Sequence, residues 1–401
     1  MTGHGQRVIG VVTVIDIGDA EFDFEYCCRK GHVIVSTLVV FPEQSGRFEW
    51  SVAHNLRRTA EHRRLQRLLL PIDTVHAYCR PKGSEQMTRQ VSIPRGEIDL
   101  AGELHLPDDF DSAGSRPAVV LSTPGSSVKE QIGATYASRL ARNGFAAITF
   151  DPAHQGGSGG EPRDLEDPYR RGEDISYAID YLATVPGIDP QRIGALGICA
   201  GGGYAVHTAR TDHRIKALAT VVAGDMGTSW RSAAFSPDGP VAALDRLAAT
   251  RLAGDDLDRL NWLPDTLDDA KAAGIDDIDT LQAIRYYRTP RGQHPNSTNR
   301  RLRRSDGLLM GYDAFHLVHQ LLTQPLQVIV AGRRGSTGQY EAGMRLWELA
   351  PNPVDLLVVE GAGHYEMYDE PEYVDQAIER LAAFFTEYLP PELGDHPTGI
   401  R

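Results

Sequence analysis

From residue 90 onward, short apolar runs alternate with amphipathic stretches. Gln90–Ile93 and Glu97–Leu106 predict an antiparallel hairpin at a sheet edge. PAVVLS (117–122) and FAAITFD (145–151) are brief, continuously apolar runs bounded by turn residues, as in strands buried on both faces. RIGALGI (192–198) and KALATVVAGD (216–225) repeat the pattern. Residues 133–143 and 173–185 place apolar side chains at helical intervals, and a further helix is expected from Ala200. Strands alternating with helices predict βαβ units and an α/β fold, its mostly parallel central sheet flanked by helices.

The alternation stops over 226–323, which is polar, helical in pattern and broken by Pro, Gly and Asp clusters. An insertion of this length between core strands reads as a lid or substrate cap. The alternation resumes with PLQVIVAG (325–332), a helix over 340–350, VDLLVVEG (354–361) and a helix over 372–388. The domain expected is therefore 87–390, with a loose tail at 391–401.

Residues 1–86 form an N-terminal extension of another character. Val8–Val14 and His32–Phe41 suggest strands, and RRTAEHRRLQRLLL (57–70) a helix. No chemical motif stands out there. Cys27, Cys28, His32 and Cys79 do not have the spacing of a zinc site. An alternative is that Met87 is the functional start.

Composition narrows the function. The chain has 401 residues, 41% of them hydrophobic, and no window approaches the roughly 18 consecutive apolar residues of a membrane span. The N-terminus lacks the features of a signal peptide, so a soluble, cytoplasmic protein without a membrane partner is expected. The net charge of −13 argues against nucleic acid. Arg300, Arg301, Arg303 and Arg304 make one basic run, either a solvated loop or a rim that attracts an acidic substrate. The four cysteines are too few for a disulfide scaffold. Reduced thiols are expected.

One of these thiols carries the chemistry. Gly197-Ile198-Cys199-Ala200-Gly201 lies between a strand and a helix, the setting of a nucleophile elbow with Cys in the place of Ser. The helix N-terminus that follows favours a thiolate and a developing oxyanion. His364 follows the last core strand within Gly361-Ala362-Gly363-His364 and is the expected general base. The backbone N–H groups of Ala200 and of Ser126, in the loop after PAVVLS, are the expected oxyanion hole. The carboxylate that would orient His364 is less legible. The loop after PLQVIVAG, Arg333 to Gln339, holds none before Glu341. Asp225, at the end of the preceding strand, is the preferred acid, with Glu341 or an acid-free pair as alternatives. The Gly-rich stretch Asp151 to Arg163 borders the site, where His154 and Gln155 could line a pocket. It lacks a P-loop ending.

The stretches SSVKEQ, FDPAHQGGSGGEPR, LGICAGGGYA, DHRIKALATVVAGDMG, YYRTPRGQHPNS and GAGHYEMYDEPEYVD resemble the α/β-hydrolase superfamily. They are most similar to bacterial hydrolases of the YcjY type, with kinship to dienelactone hydrolases. The resemblance covers about 90–388 and implies a hydrolase of esters, thioesters or lactones working through Cys199, His364 and Asp225. Acyl transfer onto another acceptor, as in polyketide-handling relatives, and a non-catalytic binding module are the alternatives. It also implies no metal or organic cofactor, and a small-molecule acyl substrate as partner. Homo-oligomerisation is left open.

Overall fold

The computed structural model describes residues 87–232 and 235–391, together with the backbone of two short strands nearer the N-terminus. The chain divides into two units, 1–85 and 86–401. In the first, β1 (Val39–Pro42) and β2 (Phe48–Ser51) pair antiparallel, with Val39 opposite Ser51. The strand expected over Val8–Val14, the helix over 57–70 and the group Cys27, Cys28, His32 and Cys79 lie outside the described residues.

The second unit opens with the expected hairpin. Strands β3 (Met87–Arg95) and β4 (Ile98–Leu106) pair from Met87 opposite Leu106 to Arg95 opposite Ile98. The turn between them places Gly96 at φ 60°, a conformation glycine adopts without strain. Strand β5 (Arg116–Ser122) leads through a tight turn, Lys129–Gly133, into helix α1 (Ala134–Arg142) and strand β6 (Ala146–Phe150). Helix α2 (Pro168–Thr184) starts five residues before the expected 173. Asp167 accepts from the backbone N–H groups of Tyr169 and Arg170, and Pro168 stands in the first turn. These capping signals lengthen the helix beyond its apolar stripe.

Strand β7 (Ile188–Ile198), helix α3 (Ala200–Ala209) and strand β8 (Ile215–Val221) complete the first half. The insertion then brings α4 (Met226–Arg231), α5 (Pro240–Ala253), β9 (Arg259–Asn261), α6 (Leu267–Ala272), α7 (Ile278–Tyr287), β10 (Arg300–Leu302), α8 (Arg303–Met310) and α9 (Val318–Leu321). The pairing of β9 with β10 was not expected, because strands of three residues are too short to show alternation. Strand β11 (Leu326–Ala331), helix α10 (Gln339–Leu349), strand β12 (Pro353–Val359) and helix α11 (Pro371–Tyr388) close the domain.

The eight-stranded sheet runs β12-β11-β8-β7-β5-β6-β4-β3. All neighbours from β12 to β6 are parallel, and β4 and β3 join antiparallel. One face packs on α1 and α11 through Tyr136, Leu140, Leu381 and Phe385. The other packs on α2, α3 and α10 through Ile175, Ile179, Tyr204 and Leu346. Covered faces explain the unbroken apolar runs of the inner strands. The chain order reverses about β5, which pairs with both β6 and β7. Loops leaving β5 and β7 therefore flank the crevice where ligands bind in open α/β sheets.

The basic run is neutralised within the insertion. Arg301 pairs with Asp306 at 2.7 Å, Arg303 with Asp258 at 3.2 Å and Arg304 with Asp256 at 2.6 Å. Three of its four charges are thus engaged by carboxylates. Among the described residues no helix is long and apolar enough to cross a membrane.

Candidate active site

Strand β7 ends against β5, with Gly197 opposite Ser122. Cys199 follows at φ 56° and ψ −125°. A non-glycine residue is seldom found at positive φ, and the strain is held by its surroundings. The Cys199 N–H donates to Val221 O at 3.1 Å. Its carbonyl accepts from Gly202 N at 2.9 Å and Gly224 N at 2.8 Å. A Cβ on Gly197 would come within 2.5 Å of the Gly201 carbonyl, and one on Gly201 within 2.1 Å of the Ser122 carbonyl. The turn can close only with glycine at both places.

The Cys199 side chain is partly exposed and packs against buried neighbours on both faces of the sheet. Burial pushes its pKa above the usual thiol value. The nearby Tyr368 hydroxyl and Ala200 backbone N–H act the other way, and Arg171 assists from a greater distance. The Ala200 N–H lies beside the sulfur.

His364 is buried on the loop after β12. Its Nε2 lies 3.1 Å from the Tyr368 hydroxyl. Tyr368 therefore stands beside both side chains, with a hydrogen bond to His364 and its hydroxyl near the Cys199 sulfur. Tyr368 follows His364 by four residues in the short turn Glu366–Tyr368. The spacing was visible in GHYEMYD, but a tyrosine there reads equally well as core. Burial lowers the His364 pKa to about 3. The resting pair is consequently a neutral imidazole and a neutral thiol.

Among the described residues no carboxylate hydrogen-bonds His364. Its Nδ1 is buried and has no partner among the described residues. Asp225 instead caps α4, accepting from Thr228 N at 3.4 Å and Thr228 Oγ1 at 2.6 Å, and it faces Arg345 at 3.4 Å. Glu341 is exposed and pairs with Arg334 at 3.7 Å. The structure joins Cys199, Tyr368 and His364, and gives the expected acid Asp225 other bonds. The carboxylate that fills the loop after β11 is Asp279 of the insertion, which accepts from Thr337 N at 3.0 Å. Glu366 binds the same side of the His364 loop, accepting from Gly363 N at 3.0 Å and from Arg333 at 2.6 Å.

The loop after β5 holds Ser126 at φ 57°. Buried Arg171 of α2 pins the base of this loop, donating to Thr123 O at 2.5 Å and Pro124 O at 3.2 Å. The guanidinium lies 5.0 Å from the Tyr204 ring centroid and 3.6 Å from Glu166, which is fully buried and accepts from the Tyr204 hydroxyl at 2.7 Å. Gln155 donates to Glu166 as well, so it belongs to this network, while His154 bonds Pro162 O within its own loop. Asp151 ties the Gly-rich stretch to the β5 loop, accepting from Lys129 N and Gly157 N at 2.7 Å each and facing Lys129 Nζ at 3.1 Å.

The insertion closes over this loop. Ser297 donates to Ser126 O at 2.9 Å, and Gln131 donates to Gly292 O at 2.6 Å. The Trp262 ring covers Gly125, where a Cβ would lie 3.1 Å from it. Asp164 anchors β9 and β10, its carboxylate accepting from Arg259 and Thr298 at 2.8 Å each and its carbonyl from Leu302 N at 2.9 Å. None of these anchors had a readable motif.

Comparison with known proteins agrees with this architecture. A model of the alpha/beta hydrolase family matches residues 123–377. The uncharacterized protein YcjY of Escherichia coli (strain K12) is 39% identical over 297 residues, covering 73% of this chain and 95% of that one. The crystal structure of the hypothetical protein PA2218 from Pseudomonas aeruginosa aligns with a TM-score of 0.65 at 27% identity, covering 77% of this chain and 96% of that one. Thiohydrolase aneE of Aspergillus aculeatus is 33% identical over 124 residues, covering 31% of this chain and 37% of that one.

Proposed function

The chain belongs to the alpha/beta hydrolase family, and from that membership we propose that it cleaves carboxylic esters, thioesters or lactones through an acyl-enzyme on Cys199. One observation carries the reading. Cys199 occupies a strained elbow with the Ala200 N–H on its sulfur, and Tyr368 links it to His364.

The neutral thiol loses its proton as a carbonyl carbon approaches. Tyr368 accepts that proton while its own passes to His364 Nε2. Sulfur attacks the carbonyl carbon, and the oxyanion is held by the N–H groups of Ala200 and Ser126. Collapse breaks the bond to the leaving group, which takes the proton from His364. Water then attacks the thioester, giving a proton to His364 by the same path, and collapse releases the acid and restores the thiol. A thiol starts with a lower pKa than a serine hydroxyl and needs less help from an orienting acid. A pair lacking a carboxylate on His364 Nδ1 is consistent with this chemistry.

The relative named a thiohydrolase supports thioesters as one substrate class. Transfer of the acyl group to an alcohol or amine is the second reading, favoured by the burial of His364 and Tyr368 beneath the insertion. The test is turnover of an ester, a lactone and an acyl thioester by wild type and Cys199→Ala, with and without added butylamine. Wild-type hydrolysis that vanishes in Cys199→Ala supports the proposal. Activity retained in Cys199→Ala contradicts it, and preferential amide formation moves the reading to transfer.

A further inference from the structure

Tyr287 closes helix α7 in the insertion, far in sequence from Cys199 and His364. Its side chain is 93% buried, and its hydroxyl makes no hydrogen bond of proper geometry. An unpaired buried hydroxyl is destabilising. One that lies beside a reactive group is a candidate to be completed by a bound substrate.

The surroundings indicate what that is. The Tyr287 ring packs edge-to-face on Tyr365 and Tyr368, with centroids 6.3 and 6.2 Å apart. Its phenol lies within electrostatic reach of the Cys199 sulfur and beside the Tyr368 hydroxyl. Cys199 packs against the same cluster of buried side chains that contains Tyr286, Tyr287 and Tyr368. Tyr287 therefore stands on the His364 side of the thiol. The Ala200 N–H belongs to the elbow on which the oxyanion would rest. The His364 side is where a leaving group must collect its proton and where water must later attack.

We infer that Tyr287 is a catalytic residue supplied by the insertion, its hydroxyl donating a hydrogen bond to the leaving-group oxygen of the acyl substrate. This rests on the acyl-enzyme reading and sharpens it. The Tyr287 proton stays on Tyr287, and the leaving group is protonated from His364. The oxygen most helped is a basic one, as in alkyl esters and unactivated lactones. A thioester sulfur is a poor acceptor, and a nitrophenolate needs little assistance. The preferred substrate class is thus an oxygen ester or lactone with an alkoxide leaving group.

The test compares kcat/KM for ethyl and p-nitrophenyl esters of one acyl chain in wild type and Tyr287→Phe. Loss of one preorganised donor costs about 10²-fold or more. The ethyl ester should lose that much, and the p-nitrophenyl ester about threefold or less. The ratio of the two losses is taken within one preparation, so any fall in the folded fraction cancels. Equal losses would assign Tyr287 a structural role only and overturn the inference, as would no loss on the ethyl ester. Failure of the underlying reading is separately visible, as wild-type turnover that survives Cys199→Ala.

Discussion

The Nε2 atom of His364 lies 3.1 Å from the Tyr368 hydroxyl, which stands beside the Cys199 thiol, and the proposed proton path from thiol to imidazole runs through this phenol. Tyr368→Phe removes the link and keeps the ring. The expected result is a fall in kcat/KM of about 10²-fold, within the range of a lost proton-transfer group, with little change in melting temperature. Steady-state kinetics and thermal unfolding of the same preparation check this. A loss below threefold would show that His364 reaches the thiol directly.

The protonation states set the pH behaviour. Burial raises the Cys199 pKa, so only a small fraction is thiolate at neutral pH. Alkylation by iodoacetamide should accelerate about tenfold per pH unit from pH 6 to 8, as expected for a thiol titrating above that range. A rate already on a plateau at pH 5 would instead indicate a thiolate–imidazolium pair.

His364 also links stability to pH. Its pKa is about 3 in the folded protein, against the ordinary 6.5 when unfolded. Between those values the unfolded chain binds more protons, so stability falls as pH drops from 6.5 toward 3. His207, lowered to about 4, adds to the same slope. Urea titrations at pH 4.5 and 7 should show the difference, and His364→Gln should reduce it. An unchanged pH slope in His364→Gln would contradict the assignment.

Asp225 has a structural task in this protein. Asp225→Ala deletes the α4 cap and the contact with Arg345. The expected cost is about 1 kcal/mol of stability, with kcat/KM changed less than tenfold. A 100-fold loss in rate at unchanged stability would show that Asp225 turns to His364 during catalysis.

Arg171 and Glu166 form a buried ion pair under the loop after β5. Arg171→Met strands the Glu166 charge and frees the Thr123 and Pro124 carbonyls. Breaking such a pair costs about 3–5 kcal/mol, measurable by chemical denaturation, and Arg171→Met/Glu166→Gln should recover part of it. Equal stability of the single and double variants would contradict the coupling.

Much of this was legible in the sequence where a single element sufficed. The run RIGALGI, its flanking glycines and Cys199 specify an elbow locally, because only glycine fits at 197 and 201. The strand before His364 likewise placed that residue near the crevice. What was hidden depends on packing between distant segments. Tyr368 and Tyr287 look like core tyrosines until their hydroxyls are followed to the thiol. Arg171 sits in an ordinary amphipathic helix, and its role appears only where α2 meets the β5 loop. Asp225 has the sequence position of an orienting acid, yet its nearest donors belong to the turn it caps.

The central claim is an acyl group on Cys199. Wild type, Cys199→Ala and His364→Gln would each be mixed with p-nitrophenyl acetate at pH 7.5, quenched in acid and weighed intact, with peptide mapping of any adduct. A single acetyl adduct on Cys199 in wild type, absent from Cys199→Ala and formed far more slowly in His364→Gln, is the predicted result. Rapid turnover with no adduct, and with an undiminished rate in Cys199→Ala, would contradict it.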